Sequence, residues 1–145
     1  MDQESDGLAN LKILAGTEED LAHDITRAIN RLRSLLLQIH PALERVFNDT
    51  VLTRSIVLDL LVRYHGPAGL RTAGKSGVKR WARNHTRKDP SALIDAIFDA
   101  LAEQTVTVPG SQASESVVAR HAKRIKALKA ERAEIEAEAA ESPRG

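Results

Sequence analysis

Cysteine is absent from this chain of 145 residues, and aromatic residues are scarce. Without cysteine no disulfide can staple the fold, and a thiol nucleophile or a Cys-ligated zinc site is excluded. Because the chain has only one Trp, one Tyr and two Phe, its core must consist of Leu, Ile, Val and Ala. That composition suits packed helices better than a sheet, so we predict an all-α fold.

A long apolar run is also missing. The chain starts with the acidic, polar segment MDQESDGLANLK, whereas a secretory signal is basic and then apolar. No apolar segment approaches the roughly 20 residues that a membrane-spanning helix needs. We therefore expect a cytoplasmic protein with no membrane partner, which is nucleoid-associated if it binds DNA.

Acidic residues are missing from the middle of the chain, although the net charge of the whole is only +1. None occurs between Asp59 and Asp89, a stretch that contains eight basic residues. Such a stretch can neutralise the phosphates of a nucleic acid, which we favour, or it can serve only as a solubilising surface. Trp81 lies within this stretch. Its ring either stacks on a base of the nucleic acid or anchors a short helix to the core.

Two segments follow the heptad spacing of a coiled coil. Residues 17–40 form the first and residues 111–140 the second. Together they predict an antiparallel hairpin around a compact, small helical middle at residues 41–110, with polar ends at 1–16 and 141–145. The apolar positions are Leu21, Ile25, Leu32, Leu35 and Ile39 in the first segment, and Val118, Ile125, Leu128 and Ile135 in the second.

The limits of these segments depend on local signals. Thr17, followed by three acids, predicts a helix start, although Leu14 keeps the heptad phase and allows an earlier one. We expect residues 105–110 to be extended and to end in a turn, and the tail from Glu141 to fray. Wherever the hairpin is open, its apolar stripe is available to a second copy, so we expect a homo-oligomer.

No set of residues in this sequence completes a catalytic or metal site. Asp20 and Asp24 share one helix face, but a single pair supplies only one edge of a metal site and is better explained as solvated surface. The same holds for Asp95 and Asp99. The five histidines are scattered singly, and Ser111, Ser114 and Ser116 have no plausible base nearby. We predict no catalytic residue, no metal ligand and no cofactor in this chain.

Four sequence blocks, in this order and spacing, resemble the bacterial insertion-sequence transposases of the one-hundred-and-ten family, relatives of the Piv DNA invertase. They are TRAINRLRSLL at 26–36, HPALERVF at 40–47, RYHGPAGLRTAG at 63–74 and EQTVTVPG at 103–110. The resemblance covers roughly residues 8 to 140. In that family a RuvC-like domain carries an Asp-Glu-Asp-Asp site for a divalent metal such as magnesium. A coiled-coil region and a domain with a serine nucleophile follow, and a structured RNA guides recombination.

The resemblance implies that this chain contains the end of the first domain and the coiled-coil region. The family's catalytic acids would lie upstream of Met1, and its serine domain downstream of Gly145. No catalytic residue of the family corresponds to a position here, so we expect the chain to be inactive by itself. The ending AESPRG departs from the family pattern, which suggests a truncated or frameshifted reading frame.

These observations predict a fragment of a DNA transposase that contributes nucleic-acid binding and dimerisation to DNA transposition. The alternative is a stand-alone helical dimerisation or interaction protein, which dimerises through its heptads and has no nucleic-acid role. The expected partners are DNA, a structured RNA and a second copy of the chain. The residues predicted to contact nucleic acid are Arg27, Arg31, Arg71, Lys75, Lys79, Arg80, Arg83, Arg87 and Lys88.

Overall fold

The computed structural model describes residues 3–105 and 108–141, and every regular element within them is helical. The all-α prediction is therefore confirmed. None of the helices in this part of the chain is long and apolar enough to span a bilayer. The elements are α1 (Gln3–Ile39), α2 (Pro41–Val46), a 3₁₀ turn (Asp49–Thr53), α3 (Ser55–Tyr64), α4 (Pro67–Ala73), α5 (Lys75–Arg83), α6 (Ser91–Glu103) and α7 (Ser111–Glu141).

The two long helices, α1 and α7, pack against each other as an antiparallel pair. Glu18 of α1 meets Arg132 of α7, with 3.5 Å between Oε1 and Nη2. Toward the other end, Gln38 of α1 lies beside Val117 of α7. Because a higher residue number on α1 meets a lower one on α7, the helices run in opposite directions. The hairpin predicted from the heptads is confirmed.

Most of the predicted apolar positions are buried between these helices, but the buried face is wider than a heptad seam. Ile25, Leu35 and Ile135 are only half-buried, whereas Leu36, which the heptad spacing omits, is fully buried. The cause is that α1 contacts α2 as well as α7, so its buried face is a broad stripe. The fully or nearly buried positions are Leu21, Leu32, Ile39, Val118, Ile125 and Leu128.

The predicted helix start at Thr17 is wrong. Helix α1 begins at Gln3, and the Thr17 hydroxyl donates to the carbonyl of Ile13 at 3.1 Å, as it does inside a helix. The heptad phase that Leu14 continues is therefore the better guide, and residues 3–16 are helical rather than a tail. Residues 106–107 and 142–145 lie outside the described residues, and with them two residues of the predicted extended segment and most of the predicted frayed tail.

A sharp turn joins α3 to α4. His65 has φ 74 and ψ −49, and the Gly66 amide donates to the Tyr64 carbonyl at 2.9 Å, which makes a γ-turn of the rare, positive-φ type. Gly69 is the third residue of α4, and a Cβ added to it would lie 1.8 Å from the carbonyl oxygen of Tyr64. Glycine is thus required at position 69 for α4 to leave α3 at this angle.

Two buried polar side chains fasten the middle to the hairpin. His40 caps α2, since its Nδ1 accepts from the Leu43 amide at 3.0 Å and its Nε2 donates to the Gln104 carbonyl at 3.1 Å. Burial lowers the pKa of His40, so the neutral ring is favoured. Glu115 of α7 accepts from the Ala68 amide at 3.1 Å, at the start of α4.

Candidate nucleic-acid interface

Helix α5 carries the centre of the basic stretch and is held by one apolar face. Val78 and Ala82, four residues apart, are fully buried. That spacing places Lys79, Arg80 and Arg83 outside the buried face, because side chains one residue apart are about 100° apart around a helix. The basic side chains then divide into a group with protein partners and a group without.

Lys75 and Lys79 have a partner in α6. Their Nζ atoms lie 2.9 Å and 2.8 Å from Oδ1 of Asp95. Hydrogen bonds from the two lysines lower the pKa of Asp95, and the same contact raises the pKa of Lys75. The two lysines hold α5 on α6 and have part of their charge neutralised by the protein itself.

Arg71 also serves the fold. Its Nη2 donates to the carbonyl of Leu101 at 3.2 Å and to that of Gln104 at 2.6 Å. These carbonyls lie at the end of α6, where helices leave acceptors without intrahelical partners. A cation there also complements the negative end of the helix dipole. Arg71 is therefore a C-terminal cap of α6.

Five cations of the stretch remain, of which Arg63 lies beside the rings of Tyr64 and Trp81. The other four form what we call the α5–α6 surface: Arg80, Arg83, Arg87 and Lys88. All four are exposed, and none forms an ion pair with any residue in the described ranges. Arg83, Arg87 and Lys88 line a shallow depression. The surface thus offers four cations to an anion.

One carboxylate shares this depression. Asp89 Oδ1 accepts from the Ser91 amide at 3.0 Å and from the Ser91 hydroxyl at 2.7 Å. These hydrogen bonds are the main cause of the lowered pKa of Asp89, and the charges of Arg83 and Lys79 contribute less. Asp89 is therefore ionised and turned toward the start of α6, and it offsets only one of the four cations.

Trp81 packs within the protein. Its ring is stacked with His85 at a centroid distance of 4.5 Å and meets the Tyr64 ring edge-on at 5.6 Å. The Arg63 guanidinium lies 5.9 Å from its centroid. Trp81 is half-buried and packs against the core. These contacts favour the anchor interpretation of Trp81 over the stacking-platform one.

The two arginines predicted on the first long helix differ from each other. Arg27 pairs with Asp24 one turn earlier, so both charges are engaged. Arg31 is exposed and has no such pair in the described residues. It lies on the hairpin, beside His121 of α7. Of the nine predicted contact residues, Arg31 and the four of the α5–α6 surface are without a protein acceptor in the part of the chain that the structure describes.

The acidic pairs of the sequence do not converge. Asp24 pairs with Arg27, and Asp95 is shared by two lysines. Over residues 3–105 and 108–141, no three His, Asp or Glu side chains come close enough together to hold a metal ion. The fold and the surface therefore define an all-helical segment with a cationic face and, in this range, no metal cluster.

Known proteins resemble this segment. It is 43% identical over 130 residues to the IS110 insertion element protein of Streptomyces coelicolor, a match to 90% of this chain and 32% of that protein. It is 31% identical over 128 residues to the IS116 insertion element protein of Streptomyces clavuligerus, covering 88% of this chain and 32% of the relative. It is 34% identical over 121 residues to the IS900 insertion element protein of Mycobacterium paratuberculosis, covering 83% and 30%.

These relatives confirm the resemblance found in the sequence blocks: the chain is similar to one segment of the IS110, IS116 and IS900 insertion element proteins. The chain spans about a third of the length of the curated relatives it matches. No family model matches the chain, and no solved structure matches it.

Sequence reasoning missed how α6 alters the basic stretch. The absence of acids between Asp59 and Asp89 indicated eight available cations, but Asp95 comes from the next helix and engages two of them. The carbonyl ends of α6 engage Arg71. No signal in the sequence identified these partners, because they depend on how α4, α5 and α6 pack.

Proposed function

We propose that this chain is the segment of an IS110-type transposase that binds nucleic acid during DNA transposition, and that the α5–α6 surface makes the contact. The observation that carries the proposal is the group of four exposed cations of that surface, which form no ion pair with the residues that the structure describes. The similarity to insertion element proteins supports the part of the proposal that concerns transposition.

The chemistry of the surface suits phosphodiesters. Arg83 and Arg87 present planar guanidinium groups, which can bond two oxygens of one phosphate. The depression between them is open, so an extended backbone can lie across it. Each neutralised phosphate releases counterions, which makes the affinity fall steeply with salt and depend little on sequence.

The protein contacts of the other basic residues support this arrangement. Lys75 and Lys79 hold α5 through Asp95, and Val78 and Ala82 anchor its buried face. Arg80 and Arg83 therefore project from a helix whose position is fixed before binding. Such preorganisation reduces the conformational entropy that binding costs.

The test compares two double variants that each remove two positive charges. Arg83→Gln with Arg87→Gln alters the α5–α6 surface. Arg45→Gln with Lys126→Gln is the control, because both side chains are already paired, with Glu103 and Asp59. Affinity for RNA and for DNA is measured over a series of salt concentrations.

We expect the first variant to flatten the slope of log affinity against log salt by about 1.4 to 1.8, since each contact contributes about 0.7 to 0.9. The control should change it much less. Equal slopes for the two variants would contradict the proposal. No binding by the unaltered chain would instead support a helical interaction protein without a nucleic-acid role.

Self-association is the second part of the proposal. Leu32 and Ile125 are covered within one chain, so the hairpin does not offer them to a second copy. The large apolar side chains left exposed on the first turns of α1 are Leu8 and Ile13, each 67% exposed. Leu8→Ser with Ile13→Ser should shift a sedimentation profile toward monomer while helicity is kept. An unchanged profile would contradict this assignment.

A further inference from the structure

A second cationic feature lies on the hairpin, apart from the basic stretch. A groove runs between α1 and α7, and we call it the hairpin groove. Its polar side chains are amides, a hydroxyl and two basic groups, and no carboxylate is among the described residues that line it. These side chains are Asn30, Arg31, Ser34 and Gln38 of α1 and His121 of α7.

The positive groups of this groove act on one another. The His121 ring is half-buried, and burial is the main cause of its lowered pKa. The charges of Arg31 from α1 and Arg124 from α7 lower it further. Asp59, the α3 carboxylate that contacts α7, is engaged by Lys126 instead. Neither Arg31 nor Arg124 forms an ion pair within the described ranges, so no carboxylate there neutralises the two charges that act on His121.

We propose that the hairpin groove is a second phosphate-binding site for nucleic acid, held by Arg31 and His121 of its lining, with the charge of Arg124 on α7 nearby. The inference rests on the proposed function, since the ligand is a nucleic-acid backbone in both. It adds a contact on the two long helices that the basic stretch of the sequence does not indicate.

The lining favours nucleic acid over a protein partner. Asn30, Ser34 and Gln38 can donate to phosphate or sugar oxygens and can bond the edges of unpaired bases. Only two of the seven lining residues are apolar: Leu35 is half-buried, and Val117 is 39% exposed. A helix-binding groove needs a continuous apolar stripe of anchors, which this one lacks.

Because His121 lines this site, we expect its affinity for phosphate to depend on pH. In the free protein its pKa lies below the ordinary value of about 6.5, so the ring is mostly neutral near pH 7. A phosphate in the groove opposes the repulsion from Arg31 and Arg124 and raises that pKa. Binding then takes up a proton, and the affinity should rise as the pH falls from about 7.5 toward 6. A rise of one pKa unit allows up to about a tenfold gain.

The experiment uses the whole chain with a single-stranded RNA and a DNA duplex of equal length. Arg31→Gln with Arg124→Gln removes the arginine that lines the groove and the nearby arginine of α7. Arg27→Gln with Arg132→Gln removes two charges from the same helices and is the matched control. Both of its arginines are engaged, by Asp24 and by Glu18. Circular dichroism confirms that each variant is helical.

We expect the groove variant to flatten the salt slope by about 1.4 to 1.8, and the control to change it much less. His121→Asn, which keeps a polar side chain, should remove the gain in affinity at lower pH and leave binding at about pH 7.5 nearly unchanged. Salt slopes that are equal for groove variant and control, or a pH dependence that survives in His121→Asn, would overturn the inference.

The two proposals fail separately. If the α5–α6 variant flattens the slope and the groove variant does not, the groove is not a site and the proposed function stands. If the groove variant alone has the effect, nucleic acid binds the hairpin and the α5–α6 assignment is wrong. If the unaltered chain binds no nucleic acid, both are wrong.

Discussion

The turn between α3 and α4 allows a stability prediction from one interatomic distance. In Gly69→Ala the new methyl carbon would lie 1.8 Å from the Tyr64 carbonyl oxygen, whereas such atoms stay more than about 3 Å apart. That oxygen belongs to the backbone and accepts the Gly66 amide at 2.9 Å, so no rotamer change can relieve the clash. The backbone has to move by more than about 1 Å, or the turn has to open.

Overpacking that forces backbone shifts costs about 1 to 3 kcal/mol, and loss of the turn's hydrogen bond adds about 1 kcal/mol. We expect Gly69→Ala to lower the free energy of unfolding by about 2 to 4 kcal/mol. Gly16→Ala is the matched control, because a methyl group added at this position of α1 would meet nothing within 4 Å. Alanine is the better helix former, so this variant should be more stable than the parent by up to about 1 kcal/mol.

Urea unfolding followed by circular dichroism measures both variants, with the midpoint and its slope fitted separately. The expected order of stability is Gly16→Ala, parent, Gly69→Ala. If Gly69→Ala is as stable as the parent, the close approach of α4 to the end of α3 is wrong. The orientation of the α5–α6 surface, which follows from that turn, would then need revision.

Further predictions concern four other places. His40 is held neutral by burial and by its cap to α2, so its contribution to stability is complete above about pH 6.5 and is lost as the pH falls toward the lowered pKa of the folded state. The urea midpoint of the parent should therefore fall with pH over this window. The midpoint of His40→Asn should fall less. Trp81→Ala should lower the free energy of unfolding by about 3 to 5 kcal/mol, with binding lost only as a consequence; a stable variant that fails only in single-strand binding would contradict the anchor role. Leu32→Asp places an unpaired charge at a fully buried site and should cost several kcal/mol in thermal unfolding. Finally, the purified chain should cleave no DNA with magnesium or manganese, and cleavage that is lost on changing Asp20 or Asp24 to Asn would refute this.

The long helices can be predicted from the sequence because their buried apolar residues recur at a regular spacing. The heptad spacing by itself identifies Leu21, Leu32 and Ile125 as buried positions, and all three are buried. It misses Leu36, since the contact with α2 widens the buried face, and a one-dimensional spacing carries no information about a third element. The predicted helix start is wrong for a related reason. A threonine can cap a helix or lie inside one, and the hydroxyl of Thr17 donates to the carbonyl of Ile13 as it does inside a helix.

The candidate site is accessible from the sequence only as a region. The sequence predicts a cationic stretch, and the four members that form the α5–α6 surface are exposed and have no ion pair among the described residues. Which members those are depends on packing: Asp95 engages Lys75 and Lys79, and the end of α6 engages Arg71. The hairpin groove is still harder to predict from the sequence, because Arg31 and His121 are far apart in the sequence and meet only when α1 and α7 pair.

The central claim is that the unpaired cations of α5 and the loop after it bind phosphate, whereas the ion-paired lysines hold the fold. The most direct measurement is the salt dependence of nucleic-acid affinity for Arg83→Gln with Arg87→Gln beside Lys75→Gln with Lys79→Gln. We expect the arginine variant to keep its stability and to flatten the slope by about 1.4 to 1.8, and the lysine variant to flatten it less and to lose only a little stability, since exposed ion pairs contribute little. An unchanged slope in the arginine variant, with the flattening found in the lysine variant instead, would contradict it.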